Sequence, residues 1–445
     1  MANLLKVYST NESDVEASTD HPQEKRFDYS LRAQWLRGVV LGCNEGVMSS
    51  SILVMGMSVF IDNTNDLVLT GLVGLIAGAL AIATAEYISV YTQIDVVEAQ
   101  NERDRRSGRV GGGSAPSPTQ IGLAASLTYL IGGFVPILTA FFVRHHVLRF
   151  IAVAFAASLS MSGAGYFAAT LGKAPVLRSC ARVLMGGWIE IAIMIGKRKV
   201  LECILFGSCT LFFAVFRPVQ AASVERTCIL SYFESIDTMS NSFRVHSTTD
   251  NDVEANSDHQ SEKRFDYLQR AQWLRGAVLG CNEGIMTSSI LVMGMTVHID
   301  NTKDLIITGL IGLIAGALAI ATAEFISVYT QVDVVEAQNE RHRRSGRVGR
   351  ARVPSPTEIS LAASLAYVVG GVVPILTALF VRPQVMRFVA VSISASFSML
   401  GAGYFAASLG KAPVQLRSCA RVLMGGWIEI AILIGKRKVL ESFGL

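Results

Sequence analysis

The chain has 445 residues, of which 51% are hydrophobic and only 17% charged. Soluble domains carry about a quarter charged residues, so an ordinary soluble protein is excluded, and disorder is excluded for most of the chain because it needs low hydrophobicity. With 39 Lys and Arg against 35 Asp and Glu, the formal charge of +4 is too small for a nucleic-acid surface, and no nucleic-acid partner is expected.

In chain order, residues 1–30 are polar and acidic, which predicts a disordered tail and not a signal peptide. Apolar stretches follow at about 38–61, 67–92, 121–143, 147–171 and 176–196. Each approaches the roughly 20 residues that cross a hydrocarbon core of about 30 Å. After the joint 203–244 the same text returns. RAQWLRGVVLGCNEGVMSSSILVMGM, from Arg32 to Met57, recurs as RAQWLRGAVLGCNEGIMTSSILVMGM, from Arg270 to Met295. The second copy, 245–445, repeats all five stretches, so the repeat is a duplicated domain. The prediction is an all-α polytopic membrane protein in a lipid bilayer, two tandem five-span bundles (31–202 and 245–445) with about ten crossings.

Basic residues concentrate before span 1 (Lys25, Arg26, Arg32, Arg37), between spans 2 and 3 (Arg103, Arg105, Arg106, Arg109) and between spans 4 and 5 (Lys173, Arg178, Arg182). By the positive-inside rule this side is cytosolic, and the second copy gives the same sign. Five spans would leave the second copy inverted. The stretch 200–216 in the joint is just long enough for an eleventh crossing that sets the copies parallel; the other reading of the joint is a seam between two neighbouring genes.

Ionisable residues within spans are costly, at roughly 2.5–3.5 kcal/mol each at a helix centre, and need a reason. They are Glu45, Glu86 and Glu190 in the first copy, and Glu283, Glu324 and Glu429 in the second. Glu190 and Glu429 lie near a span end, where burial as the neutral acid or pairing with an arginine such as Arg182 is the simpler account. In span 1, Glu45, Met48, Ile52 and Met55 fall at i, i+3, i+7 and i+10, a stripe flanked by Gly42, Gly46 and Ser49–Ser51, which allow close helix approach. Met286 repeats Met48 beside Glu283. A carboxylate with thioethers suits a borderline divalent ion such as ferrous iron better than magnesium or calcium. Beyond span 2, Asp95, Glu98 and Glu102 continue one helical line, repeated as Asp333, Glu336 and Glu340. This acidic mouth would gather cations. The seven cysteines form no metal or disulfide spacing, and the spans hold no nucleophile–base pair or His cluster, so no enzyme is expected.

LRGVVLGCNEGVMSSSILVMGM in span 1, AGALAIATAEYISVYTQIDVVEAQ in span 2, GGFVPIL in span 3 and GAGYFAATLGKAPVLRSCARVLMGGWIEIAI in spans 4–5 resemble the vacuolar iron transporter family, in its plant nodulin-like branch. The resemblance covers both copies. It implies five spans per subunit, a dimer whose span 1 helices line the path, and export of Fe2+, with manganese as a second cargo, from cytosol into the vacuole in exchange for protons. No permanently bound cofactor is implied. The single chain would then be an intramolecular pseudo-dimer in the vacuolar membrane, with Glu45 and Glu283 sharing one central cation site. The family's span 1 acid–glycine motif falls on Glu45-Gly46 and Glu283-Gly284. Its span 2 carboxylate and methionine fall on Gly74 and Ile82, which cannot serve, and Glu86 (Glu324 in the second copy) could supply the missing carboxylate one turn on. The family's long cytosolic metal-binding domain is reduced to about 30 residues. Those two departures keep a second reading open, a non-transporting membrane scaffold or regulator.

Overall fold

The computed structural model describes residues 28–58, 61, 63–108, 116–206, 258–296, 302–345, 353–381, 383–412 and 415–444. The acidic tail up to residue 27, the joint from 207 onward with most of the proposed crossing 200–216, and the second copy up to residue 257 lie outside the described residues. The described chain is helical. The first half contributes α1 (Asp28–Met57), α2 (Thr64–Arg106), α3 (Pro118–Phe142), α4 (His146–Gly172) and α5 (Val176–Phe206). The second contributes α6 (Asp258–Met295), α7 (Thr302–Arg344), α8 (Pro356–Phe380), α9 (Gln384–Leu409) and α10 (Gln415–Ser442). All ten are long and apolar enough to cross a membrane.

Local sequence sets several boundaries. Pro118 and Pro356 open α3 and α8 at the first turn, where a missing N–H costs nothing. Asn63 caps α2 by accepting from the Asn65 N–H. At 43 residues, α2 and α7 reach about 65 Å at 1.5 Å per residue. That is twice the hydrocarbon thickness, so their C-terminal turns stand outside the bilayer. Hydroxyls inside the spans turn back on their own helix, as Ser51 does to the Val47 carbonyl and Thr128 to Ala124, which spares the donor from facing lipid.

α1 and α6 are the most enclosed helices, and α4 and α9 the least. The outer helices turn Phe155, Leu159, Phe380 and Phe397 outward, each more than 60% exposed, as a lipid-facing wall requires. α1 lies tightest against α3, and α6 against α8. Gly42 and Gly46 make this possible: a Cβ on either would collide with the α3 backbone at Ala125 and Tyr129, and Gly280 and Gly284 repeat the contact at Ala363 and Tyr367. Backbone cannot rotate aside as a side chain can. Gly46→Ala is therefore expected to cost about 3 kcal/mol or more, whereas Gly163→Ala on α4, whose Cβ would meet nothing within 4 Å, should be neutral. Paired thermal unfolding in detergent checks the contrast.

The halves interlock. α1 packs on α7 and α2 on α6, while α5 lies against α7 and α10 against α2. The span 1 helices take part in this crossing. Each crosses the span 2 helix of the other half.

Candidate functional site

Two cavities follow from this crossing. One, of about 570 Å3, is lined by Glu45, Met48, Ser49, Ile52, Leu53, Gly56 and Met57 of α1, with Thr70, Met194, Ala319, Lys436 and Leu440 from four other helices. The other, of about 380 Å3, is lined by Glu283, Met286, Thr287, Ile290, Leu291, Gly294 and Met295 of α6, with Ala81, Glu429 and Leu433. Glu45 and Glu283 thus line two equivalent cavities, each with a thioether one turn away, and the two acids stay within electrostatic reach of each other. Both acids are half-buried, and among the described residues no Lys or Arg nitrogen lies within 4.0 Å of either. Carboxylates inside a bundle without a cationic partner are the groups a passing cation would meet.

The stripe ends differently from expectation. Met55 and Met293 pack into the core of their own half, and Met57 and Met295 close the cavities instead. At 100° per residue, Gly56 at i+11 returns to within about 20° of Glu45, while Met55 at i+10 and Met57 at i+12 lie on opposite sides of it, about 80° and 120° off. Gly56 therefore opens the floor that Met57 borders.

The span 2 acids sit elsewhere than expected. Glu86 accepts from Arg37 Nη2 at 2.6 Å and Nη1 at 3.2 Å, and Glu324 accepts from Arg275 with the same two distances. Arg37 Nη1 also lies 3.7 Å from Glu324, and Arg275 Nη1 4.0 Å from Glu86. The four side chains, each 3% exposed or less, form a closed ring of alternating charge between the halves. Both oxygens of each acid are held by guanidinium, so Glu86 and Glu324 are committed to the ring and do not supply the missing metal carboxylate. Arg37 precedes Glu45 by eight residues, which sets the ring about 12 Å nearer the N-terminal end of α1.

The acidic mouth is likewise largely paired. Asp333 accepts from Arg182 at 2.7 and 3.3 Å and Asp95 from Arg421 at 2.8 Å, both across the halves, and each guanidinium also stacks on a ring, Tyr329 or Tyr91. These aspartates stitch the pseudo-dimer together and are not free to gather cations. Glu98 and Glu336 are exposed. Glu102 is paired with Arg106 at 3.0 Å, and Glu340 with Arg343 and Arg344, whose hydrogen bonds hold its carboxyl below the usual range. Such exposed pairs contribute little. Glu102→Gln with Glu340→Gln is expected to change metal uptake less than about twofold, as initial rates into vesicles would show.

Arg182 is engaged with Asp333, so it does not partner Glu190. Glu190 instead accepts from Asn44 Nδ2 at 3.0 Å, and Glu429 from Asn282 Nδ2 at 3.1 and 3.3 Å. All four are buried. Asn44 Oδ1, Glu190 Oε1 and Asn282 Oδ1 are left without a hydrogen-bond partner. Glu429 lines the cavity of Glu283, so the span 5 acid belongs beside the site. The sequence signal was Asn44, a polar residue in a span directly before Glu45, but spacing alone could not show that it meets Glu190. Among the described residues no three His, Cys, Asp or Glu side chains form a cluster.

Ten described helices fit to cross a membrane, a two-fold repeat, and in each of two interfacial cavities an acid beside a thioether, without an ion pair among the described residues, define a helical membrane protein of the solute-path type. Comparison with known proteins gives the family: the model described as the VIT family matches residues 36–111, 108–197, 274–351 and 345–436, so the chain belongs to the VIT family, twice over. It is 44% identical over 197 residues to vacuolar iron transporter homolog 3 of Arabidopsis thaliana, covering 44% of this chain and 96% of that protein. It is 36% identical over 194 residues to vacuolar iron transporter homolog 5 of Oryza sativa subsp. japonica, covering 44% of this chain and 93% of that one. Each relative spans about one half. No solved structure matches the chain.

Proposed function

We propose that the protein carries ferrous iron, with manganese as a second cargo, across the vacuolar membrane from cytosol to vacuole in exchange for protons. The observation that carries this reading is the placement of Glu45 with Met48, and of Glu283 with Met286, in equivalent cavities with no cationic partner among the described residues. A hard oxygen beside a soft sulfur is a donor set that accepts Fe2+ and Mn2+ while offering little to an alkali ion. The relatives' names, vacuolar iron transporter homologs, support iron as cargo and the vacuole as compartment.

The path has two ends of different character. Towards the N-terminal end of α1, the cytosolic side by loop charge, the Arg37–Glu86–Arg275–Glu324 ring stands across the interface. Towards the α1–α2 loop the cavities run on to Met57 and Met295. This is the arrangement of a carrier closed on the cytosolic side, and loading requires the ring to part. Protons have a place to reside beside the metal: a proton on Glu190 would supply the donor that Glu190 Oε1 and Asn44 Oδ1 lack. Gly74 and Gly312, without a carboxylate, are the features that favour a non-transporting role. The deciding measurement is anaerobic Fe2+ influx into proteoliposomes holding a trapped chelator, with an imposed pH gradient. Influx that quickens as the lumen is made acidic supports metal–proton exchange, and no influx at any gradient supports the scaffold.

A further inference from the structure

The Glu45 cavity also holds a cationic side chain. Lys436 of α10, from the second half, lines the cavity of Glu45. It is directed at Gly74: a Cβ built there would lie 3.4 Å from Lys436 Nζ and 3.0 Å from Leu53 Cδ1. Lys197 of α5 makes the reciprocal approach, 3.7 Å from a Cβ on Gly312, beside Leu291 of the Glu283 cavity. Neither lysine has an ion-pair partner among the described residues. Leu53 follows Glu45 by eight residues, so each ammonium stands about 12 Å beyond the acid, on the α1–α2 loop side. The position at which a side chain from span 2 could have reached into the path is a glycine, and the space goes to a lysine from the opposite half.

Resting on the transport reading, we propose that Lys436 and Lys197 are specificity-determining residues which weaken the hold of Glu45 and Glu283 on a divalent cation and so hasten its release. A fixed positive charge acts on a doubly charged ion with twice its effect on a singly charged one. At about 12 Å, in a medium between water and protein interior, the repulsion weakens divalent binding on the order of tenfold. A site of carboxylate and thioether that bound too firmly would load and never empty, and conduction needs binding weak enough to leave. The lysines provide that weakness without removing a ligand. Because each comes from the other half, only the assembled pair of halves has it.

The test uses the full chain in nanodiscs with Mn2+ alone as probe, its binding followed by electron paramagnetic resonance, and the same proteins in vesicles for Fe2+ influx. Lys197→Gln with Lys436→Gln is expected to bind Mn2+ about tenfold more tightly, with a lower KM and a lower maximal rate for Fe2+ as release slows. Lys197→Arg with Lys436→Arg, which keeps the charge, should retain wild-type affinity. Should the double Gln protein not fold, Lys436→Gln alone should tighten one of two Mn2+ sites. Transport by the wild type with unchanged Mn2+ affinity in the Gln proteins overturns the inference and leaves the transport reading standing. Absence of both Mn2+ binding and Fe2+ influx in the wild type overturns the transport reading and this inference with it.

Discussion

Glu45→Gln combined with Glu283→Gln is expected to lower Fe2+ influx at least a hundredfold while the protein still folds and inserts. The amide keeps the shape and the neighbours of the acid but removes the charge. Losing a charge–charge attraction worth about 3 kcal/mol at the site is a loss of about a hundredfold in occupancy. Folding should survive, because neither acid takes part in an ion pair among the described residues. Gln removes a burial penalty and breaks no contact, so the unfolding midpoint should hold or rise. The single variants separate two arrangements. With one shared site, either substitution would abolish influx. With two cavities, each holding its own acid, each single variant should retain roughly half the rate. Undiminished influx in the double variant would remove the acids from the path.

How far the sequence was legible can be judged at these same residues. The ten crossings were plain from apolar length, and the pairing of halves from the repeat, because lipid imposes both rules locally. That an acid in a span needs a reason was equally plain. Which reason applied to which acid was not. Glu86 and Glu45 sit on spans of similar composition, yet one meets Arg37, 49 positions away in sequence, and the other meets a cavity. Arg37 itself looked like a cytosolic-side marker of orientation and is 1% exposed inside the ring. Arg182 offered a partner for Glu190 by proximity along α5 and instead crosses to Asp333 in the other half. In each case the outcome is decided by helix packing, α1 on α2 for Glu86 and α5 on α7 for Arg182, and tertiary packing leaves no period in the sequence. Lys436 was the least legible, since it matters only through the absence of a side chain at Gly74.

The ring yields the second large effect, and it has the form of a non-additive pair. Arg37→Gln leaves Glu86 buried, with Arg275 at 4.0 Å as its remaining cation. An orphaned charge at 0% exposure costs about 3–5 kcal/mol, enough to consume much of the stability of a typical fold. Glu86→Gln orphans Arg37 in the same way. Removing both charges leaves Arg275 and Glu324 bidentate on each other at 2.6 and 3.2 Å, with nothing unpaired. The double variant should therefore be more stable than either single one, with a coupling of about 2 kcal/mol or more in a thermal-unfolding cycle. Additive losses would mean that the two charges do not act as a pair. The same protein separates a strut from a seal. If the ring closes the cytosolic side, Arg37→Gln with Glu86→Gln should fold yet let a preset Fe2+ gradient run down across vesicles in which the wild type holds it. A ring that serves only to join the halves would leave that gradient intact, because α1–α7 and α2–α6 packing and the Asp333–Arg182 and Asp95–Arg421 pairs still hold the interface.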